Sequence, residues 1–428
     1  MNTYTFKKFK RSPLLKNIVK ASGSYLYDKN NKYFDLTAGY PNITILGYNN
    51  SKVNFSIKRQ MNKFTHLNPN ICDFNLKENL SKNLILNSHK KTNKVYFSGT
   101  SGSDSIEAAI KMSIQYHRAL GYKKKYKIIS RKDSYHGSTY ETLSLSDTPF
   151  FDIYKQKYSS SKYIKINSHN PINRKKKNIT INDYTKNSIK ELENAILFHG
   201  AENITAFVGE TIMGNFSGNI EPSKKYWSSI HKICKKNKIN LILDEIYCGM
   251  GRSGEIYSFN KYSIDPEFVC LSKSLTNGTI PFSVVLSKSS IEKVIIKKFG
   301  RVFHGHTFQA NALGVAAANT VMSIINKKSF LNAVNKKSHK LKKGLLYLKE
   351  NFSLFENCYG VGLMQTLKFE KNINQDLVLK IQNDMLYKNK YLMDTRFNRI
   401  SFTPNLNITN KEIDKFINSF EIYLRKKL

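Results

Sequence analysis

An acid and an amine stand at matching places in the middle of the chain. The apolar run Ile239 to Leu243 ends in Asp244 and Glu245, and a second run, Phe268 to Leu271, ends in Ser272 and Lys273. Both runs have the length and the aliphatic or β-branched content of buried strands, so each sets its charged residue just past a strand's carboxyl end. In an open α/β sheet that edge is where ligands bind. A loop carrying Gly249, Gly251 and Gly254 lies between them. Taken singly, the residues also suit plainer roles: Asp244 can cap a turn, and Lys273 is one of 69 basic residues, most of which must face solvent.

Together, a carboxylate and an amine at one sheet edge suit a cofactor that has a basic ring nitrogen and an aldehyde. The carboxylate keeps a pyridine nitrogen protonated and makes the ring an electron sink, while the amine forms a Schiff base with the aldehyde. Pyridoxal 5'-phosphate has both groups, and its phosphate needs a third feature. The strand Lys94 to Phe97 runs into SGTSGSDSIEAAIKMSIQYHRAL, where Gly and Ser precede a segment with helical spacing at Ile106, Ala109, Ile110 and Ser113. Gly102 and Ser103 would stand at a helix start, where free amides and the positive dipole end can hold a phosphate. The same residues fit a simple cap. Asp104 and Glu107 fall in the expected first turn.

Two more strand ends add to the set. Tyr126 to Ser130 leads to Tyr135 and His136, either an aromatic lying flat on a pyridine ring beside an assisting histidine, or a packed loop with a satisfied imidazole. Ile204 to Val208 ends near Glu210. Five strand candidates with polar groups at one edge are what a ligand site on a mostly parallel sheet requires.

The elements that must position these groups run the length of the chain. Ser24 to Tyr27 and Tyr33 to Leu36, separated by Asp28-Lys29-Asn30-Asn31, form a predicted hairpin. The segment TAGYPNITILGYNN follows, with Tyr40 and Tyr48 as pocket walls or packing residues. Residues 159–183 are strongly polar and give a predicted surface excursion. An Ala-rich helix from about Asn311 starts the crossing into a second domain, with a helix at Ala333 to Asn351, strands near Tyr359 to Phe369 and Ile400 to Thr403, and a closing helix at Lys411 to Leu424.

Composition narrows the class. At 428 residues the chain is long enough for two sizeable cores. The net charge of +38 on its own suggests nucleic acid or an anionic membrane. Yet the lysines are spread along the chain, with only short clusters at Lys123 to Lys125, Arg174 to Lys177 and Lys342 with Lys343. This is compositional drift rather than one binding face, and we expect neither nucleic acid nor membrane as partner. Five widely spaced cysteines without a C-x-x-C pair argue against a disulfide or zinc framework and for a reducing compartment. The basic start MNTYTFKKFKRSP lacks the apolar run of a signal peptide, so the expected location is cytoplasmic and no metal site is expected.

With these residues in hand, the chain resembles the class III (ω-amino acid) family of pyridoxal-phosphate-dependent aminotransferases. The resemblance runs from GSYLYD to PNLNITNKEIDKF and is most specific at LDEIYCGMGRSG with Lys273 beyond it. It implies the α/β fold type I of pyridoxal-phosphate enzymes, aspartate-aminotransferase-like. In that arrangement residues 1–65 form an arm and part of a small domain, 66–310 a large domain with a mostly parallel mixed sheet, and 311–428 a smaller α+β domain. The resemblance also implies that Gly102 and Ser103 bind the phosphate, that Tyr135 and Ile246 flank the ring, that Asp244 pairs with the ring nitrogen and that Lys273 is the Schiff-base lysine. Thr307 resembles the threonine that reaches the phosphate of the neighbouring subunit, which implies a homodimer with shared sites. Glu210, Tyr40 and Arg396 are the substrate-side candidates, with Arg399 a second candidate for an arginine that holds a substrate carboxylate. The implied reaction moves an amino group from an amino acid or ω-amine donor to a keto acid or aldehyde acceptor.

Two departures stand out. The family usually has K-x-x-x-G-G after the lysine, whereas this chain has Asn277 before Gly278, and Glu210 is followed by Thr211 where proline is common. The rivals are a same-fold aminomutase, racemase or decarboxylase, which consumes no second substrate, and more distantly a basic nucleic-acid-binding protein.

Overall fold

The computed structural model describes residues 15–88, 91–148, 153–154, 161–172, 179–214 and 216–427. Its first elements are three short antiparallel strands, β1 (Lys20–Ser22), β2 (Tyr25–Tyr27) and β3 (Lys32–Asp35). The predicted turn is tied by Asp28, whose Oδ1 accepts the Asn30 and Asn31 amides at 2.8 and 2.6 Å.

The strands that bear the polar groups are β4 (Thr92–Gly99), β5 (Lys127–Arg131), β6 (Tyr163–Ile166), β7 (Ile204–Glu210), β8 (Asn240–Asp244), β9 (Phe268–Leu271) and β10 (Ser283–Lys288). They form one sheet in the order β4-β10-β9-β8-β7-β5-β6. Pairing is parallel from β9 through β6, and β10 lies antiparallel to both β9 and β4. Two antiparallel steps leave β4 running with β9, so β4, β5, β7, β8 and β9 all end at the same edge.

The central strands are buried along their whole length because helices cover both faces. Successive side chains alternate between two cores. Leu241, Leu243, Val269 and Leu271 join the larger core, while Ile242, Phe268 and Cys270 pack with Ile106 and Ala109 of the helix Gly102–Ala119. Asp244 shares the parity of Ile242, so it faces the side on which that helix begins.

Beyond the large sheet, β11 (Phe355–Val361) and β12 (Met364–Phe369) form a hairpin. A two-residue strand, β13 (Tyr391–Leu392), pairs in parallel with β3. Then β14 (Asp394–Arg396) and β15 (Arg399–Phe402) extend the hairpin into a sheet of order β11-β12-β15-β14. The protein is thus an α/β structure, with one large mixed sheet and two smaller ones among the described residues.

Several expectations need correction. The polar stretch 159–183 is not all excursion: Tyr163–Ile166 is the edge strand of the large sheet and Ile181 opens the helix Ile181–His199. Ile164 and Ile166 supply the buried face. Lys165, one of the many polar residues of the segment, donates its amine to Ser130 Oγ at 2.8 Å and the Ser146 carbonyl at 3.1 Å. The helix Gln375–Tyr387 and strands β13 and β14 are further elements, beyond those expected from the sequence, between the predicted strands near Tyr359 to Phe369 and Ile400 to Thr403. Glu107 falls in the second turn of its helix, which starts at Gly102. The Arg174 to Lys177 cluster and the first thirteen residues lie outside the described residues.

Candidate active site

The helix Gly102–Ala119 starts where β4 ends. Its cap is reciprocal: Ser101 Oγ accepts the Asp104 amide at 3.2 Å, and Asp104 Oδ2 accepts the Ser101 amide at 2.9 Å. With those amides engaged, the Gly102 and Ser103 N–H groups have no acceptor among the described residues. Gly102 packs closely on Ile246, where an added Cβ would come within 2.8 Å of Cδ1 and would push that side chain aside. Ser103 Oγ accepts the Ser138 amide at 3.1 Å, which ties the helix start to the loop after β5.

That loop carries Tyr135 and His136. His136 Nδ1 lies 2.9 Å from Asp244 Oδ2, and both residues are buried. Asp244 Oδ1 accepts the Ile246 amide at 3.0 Å, so the carboxylate is fixed from two sides. His136 Nε2 is buried and has no partner among the described residues. Glu210 lies alongside, its Oε1 accepting the Gly214 amide at 2.9 Å and its Oε2 the Tyr135 amide at 3.4 Å. Burial pushes the Glu210 carboxyl above the usual carboxylate range.

Lys273 follows β9 in a left-handed conformation, φ 45°, unusual for a residue with a Cβ and found where a chain stores strain at functional positions. Its Nζ sits 5.5 Å from the Tyr247 ring centroid. Burial pulls its pKa below the usual lysine value, against the opposing pull of Asp244 and Glu210.

These groups line one cavity of about 420 Å³: Gly102, Ser103, Tyr135, Glu210, Asp244, Ile246 and Lys273 come from the sheet edge, and Tyr40 and Arg396 from the far side. Tyr40 is a wall, whereas Tyr48 donates its hydroxyl to Asp35 at 2.7 Å and is a packing residue. Arg396 lies over the Tyr40 ring at 4.7 Å and the Phe216 ring at 5.5 Å, with its Nε 3.1 Å from Asp394 Oδ1. Arg399 does not line the cavity; its guanidinium holds the Phe216 carbonyl behind the wall. Thr307 is exposed in the turn at 307–310 and does not reach this cavity. A larger cleft of about 750 Å³ lies against Tyr96, Lys111 and His304 and contains none of the paired groups.

Sequence reasoning missed Phe216, which stacks on Tyr135 at 5.1 Å and 25°, and Tyr247. Phe216 lies six residues past the end of β7, and only its loop's return to the cavity reveals it, whereas Tyr247 stands three residues past Asp244 beside Ile246 and could have been found from that position. Cys248 is inert: it is buried, its Sγ faces the Asp244 carbonyl at 3.7 Å, and burial drives its pKa well up.

The arrangement fits pyridoxal phosphate on its own chemistry. Two unpaired helix-start amides suit a phosphate, a fixed carboxylate suits a protonated ring nitrogen, and a lysine with a lowered pKa suits an aldehyde.

Known proteins agree with this reading. The family model described as aminotransferase class-III matches residues 7–424. The gamma aminobutyrate transaminase 2 of Solanum lycopersicum is 34% identical, over 83% of this chain and 78% of its own. The acetylornithine aminotransferase of Clostridium acetobutylicum is 30% identical, over 94% of each chain. Among solved structures, an amine transaminase from an uncultivated Pseudomonas species in its PLP-bound form superposes with a TM-score of 0.91 at 22% identity, covering 98% of both chains, and so shares the fold.

Proposed function

The chain belongs to the class III aminotransferases and works with pyridoxal 5'-phosphate, and from that premise we propose that Lys273 is the lysine that carries the cofactor and moves the reacting proton. When bound, the cofactor supplies an aldehyde for amines and a ring that takes up the electron pair left when a substrate carbon loses its proton. The Lys273 amine would carry that proton from the substrate carbon to the cofactor's aldehyde carbon, a task helped by the burial that favours its neutral form. Asp244, fixed by His136 and the Ile246 amide, holds the proton on the ring nitrogen. Gly102 and Ser103 bind the phosphate through their free amides, and Tyr135 and Ile246 flank the ring.

The substrate side consists of Glu210, Tyr40 and Arg396. Arg396 is the carboxylate-holding candidate, since it lies at the cavity and Arg399 does not. The donor is an amino acid or ω-amine and the acceptor a keto acid or aldehyde. Relatives named for γ-aminobutyrate and acetylornithine support a donor amine distant from the α-carboxylate, with 2-oxoglutarate or pyruvate as acceptor. The protein is a homodimer in which Thr307 of the partner subunit reaches the phosphate. The division into 1–65, 66–310 and 311–428 is supported by the pairing of β13 with β3, which joins the first segment to the last. The five unpaired cysteines support a cytoplasmic setting, and no described helix is long and apolar enough to cross a membrane.

The observation that carries this reading is the meeting of Asp244, Lys273 and the Gly102–Ser103 helix start on one cavity. Its test is the near-ultraviolet and visible absorption of the purified protein with a panel of ω-amines and α-amino acids. The expected result is a visible cofactor band that one donor class bleaches and a keto acid restores. No band after incubation with pyridoxal phosphate would overturn the assignment of Asp244 and Lys273.

A further inference from the structure

Asn277 stands where the resemblance led us to expect a glycine, and it is there that the lysine loop grips the opposite wall of the cavity. The short turn Lys273–Thr276 delivers Asn277 at φ 53°, ψ 29°, a left-handed conformation that glycine adopts without cost and that asparagine tolerates better than most side chains. The side chain uses the position fully. Its Oδ1 accepts the Leu46 amide at 2.7 Å, its Nδ2 donates to the Gly47 carbonyl at 2.9 Å, and the residue is 2% exposed.

Neighbouring contacts reinforce the grip. Ser274 donates its hydroxyl to the Asn42 carbonyl at 2.8 Å, and Asn42 Nδ2 donates to the Tyr247 carbonyl at 2.5 Å. Gly278 lies so close to the wall that a Cβ there would come within 2.5 Å of Ile43 Cγ2. The gripped segment continues from Tyr40, Pro41 and Ile43, which line the cavity. The other edge of the same segment is held by backbone bonds, with the Thr403 amide on the Leu36 carbonyl at 2.8 Å and the Leu406 amide on the Ile45 carbonyl at 2.7 Å. The wall is therefore fixed on the outside by main chain, and on the lysine side by the side chains of Asn277, Ser274 and Asn42.

We propose that Asn277 is a positioning residue that sets the width of the substrate pocket by clamping the wall segment 42–47 to the loop that carries Lys273. Because wall and lysine loop are joined, the space left for a donor's substituent is fixed relative to the reacting amine. The inference rests on the functional reading above and adds to it a determinant of donor size. It also explains the departure from glycine at 277: the side chain is retained for two hydrogen bonds that glycine cannot make.

The test compares the wild-type holoenzyme with Asn277→Gly, which keeps the backbone conformation and removes both bonds, and Asn277→Asp, which keeps only the acceptor for Leu46. One arm follows amide hydrogen exchange at Leu46. The other measures kcat/KM for γ-aminobutyrate and for 1-phenylethylamine with pyruvate as acceptor. In Asn277→Gly we expect Leu46 to exchange about tenfold faster and the ratio of the two kcat/KM values to shift by about fivefold toward the bulkier amine, with Asn277→Asp between the two. A purely structural role would lower both donors together and leave the ratio unmoved. Unchanged exchange, or faster exchange with an unmoved ratio, overturns the proposal. A wild-type chain that transaminates no donor would overturn the functional reading instead, and the exchange arm would then judge the clamp by itself.

Discussion

In the roles proposed for them, Lys273 and Asp244 divide the chemistry between a group that changes protonation and one that does not. Burial favours the neutral amine of Lys273, and on the proposed assignment its replacement removes both the attachment point and the mobile proton carrier. Lys273→Ala should lose the visible cofactor band and reduce transamination by at least about 10³-fold, within the range of lost acid–base catalysis. Asp244 is held by His136 and the Ile246 amide, and its proposed role is electrostatic. Asp244→Asn should therefore keep the cofactor bound, read by absorption, while slowing the proton-transfer step by roughly 10²–10³-fold in a rapid-mixing experiment. A variant that lost the cofactor outright would refute that division of labour. Both residues were legible in the sequence because each ends an apolar strand run. Phe216 was not legible, since its stacking on Tyr135 depends on where a loop folds back.

At the scale of elements, two helix-start and loop anchors carry measurable energy. The Ser101–Asp104 capping box orders the turn that presents the Gly102 and Ser103 amides. Ser101→Ala should cost about 1 kcal/mol in denaturant unfolding of the apoprotein and weaken cofactor binding several-fold in a titration. Glu245 ties the end of β8 to the turn Ser258–Tyr262 by accepting the Ser258 and Phe259 amides at 2.8 and 2.9 Å. Burial raises its pKa from 4.5 to about 7. Between those values the folded state binds more protons than the unfolded one, so the stabilisation is complete below pH 4.5 and is lost as pH rises toward 7. Glu245→Gln lacks this slope. Relative to that variant, the wild type should lose on the order of 3 kcal/mol between pH 4.5 and 8 in urea unfolding; parallel pH curves would refute the assignment.

The whole molecule brings in the residue that its own cavity does not contain. Thr307 is exposed in the turn at 307–310, and its proposed role requires a second copy of the chain. Lys273→Ala and Thr307→Ala chains, each impaired alone, should recover activity when co-expressed, because a hybrid dimer contains one site with both residues intact. Absence of recovery in hybrids verified by native mass spectrometry would remove Thr307 from the site. The N-terminal wall shows the same dependence on scale. Residues 36–47, of which Tyr40, Pro41 and Ile43 line the cavity, are held from two sides by the C-terminal strap at 403–407 and the lysine loop.

By itself the sequence showed most strands of the large sheet in order, though not its edge strand Tyr163–Ile166, together with an acid and an amine at two strand ends and the glycine-serine helix start. These depend on local pattern: apolar runs with charged ends, and a cap before helical spacing. It also determined the family, because the segment around Asp244 and Lys273 is specific. Only the tertiary structure decided which arginine faces the cavity, because Arg396 and Arg399 lie three residues apart on neighbouring strands and nothing in their spacing separates them. It likewise turned Asn277 from an unexplained departure into a clamp, since its partners Leu46 and Gly47 lie about 230 residues away in the chain and long-range pairing of this kind leaves no local trace.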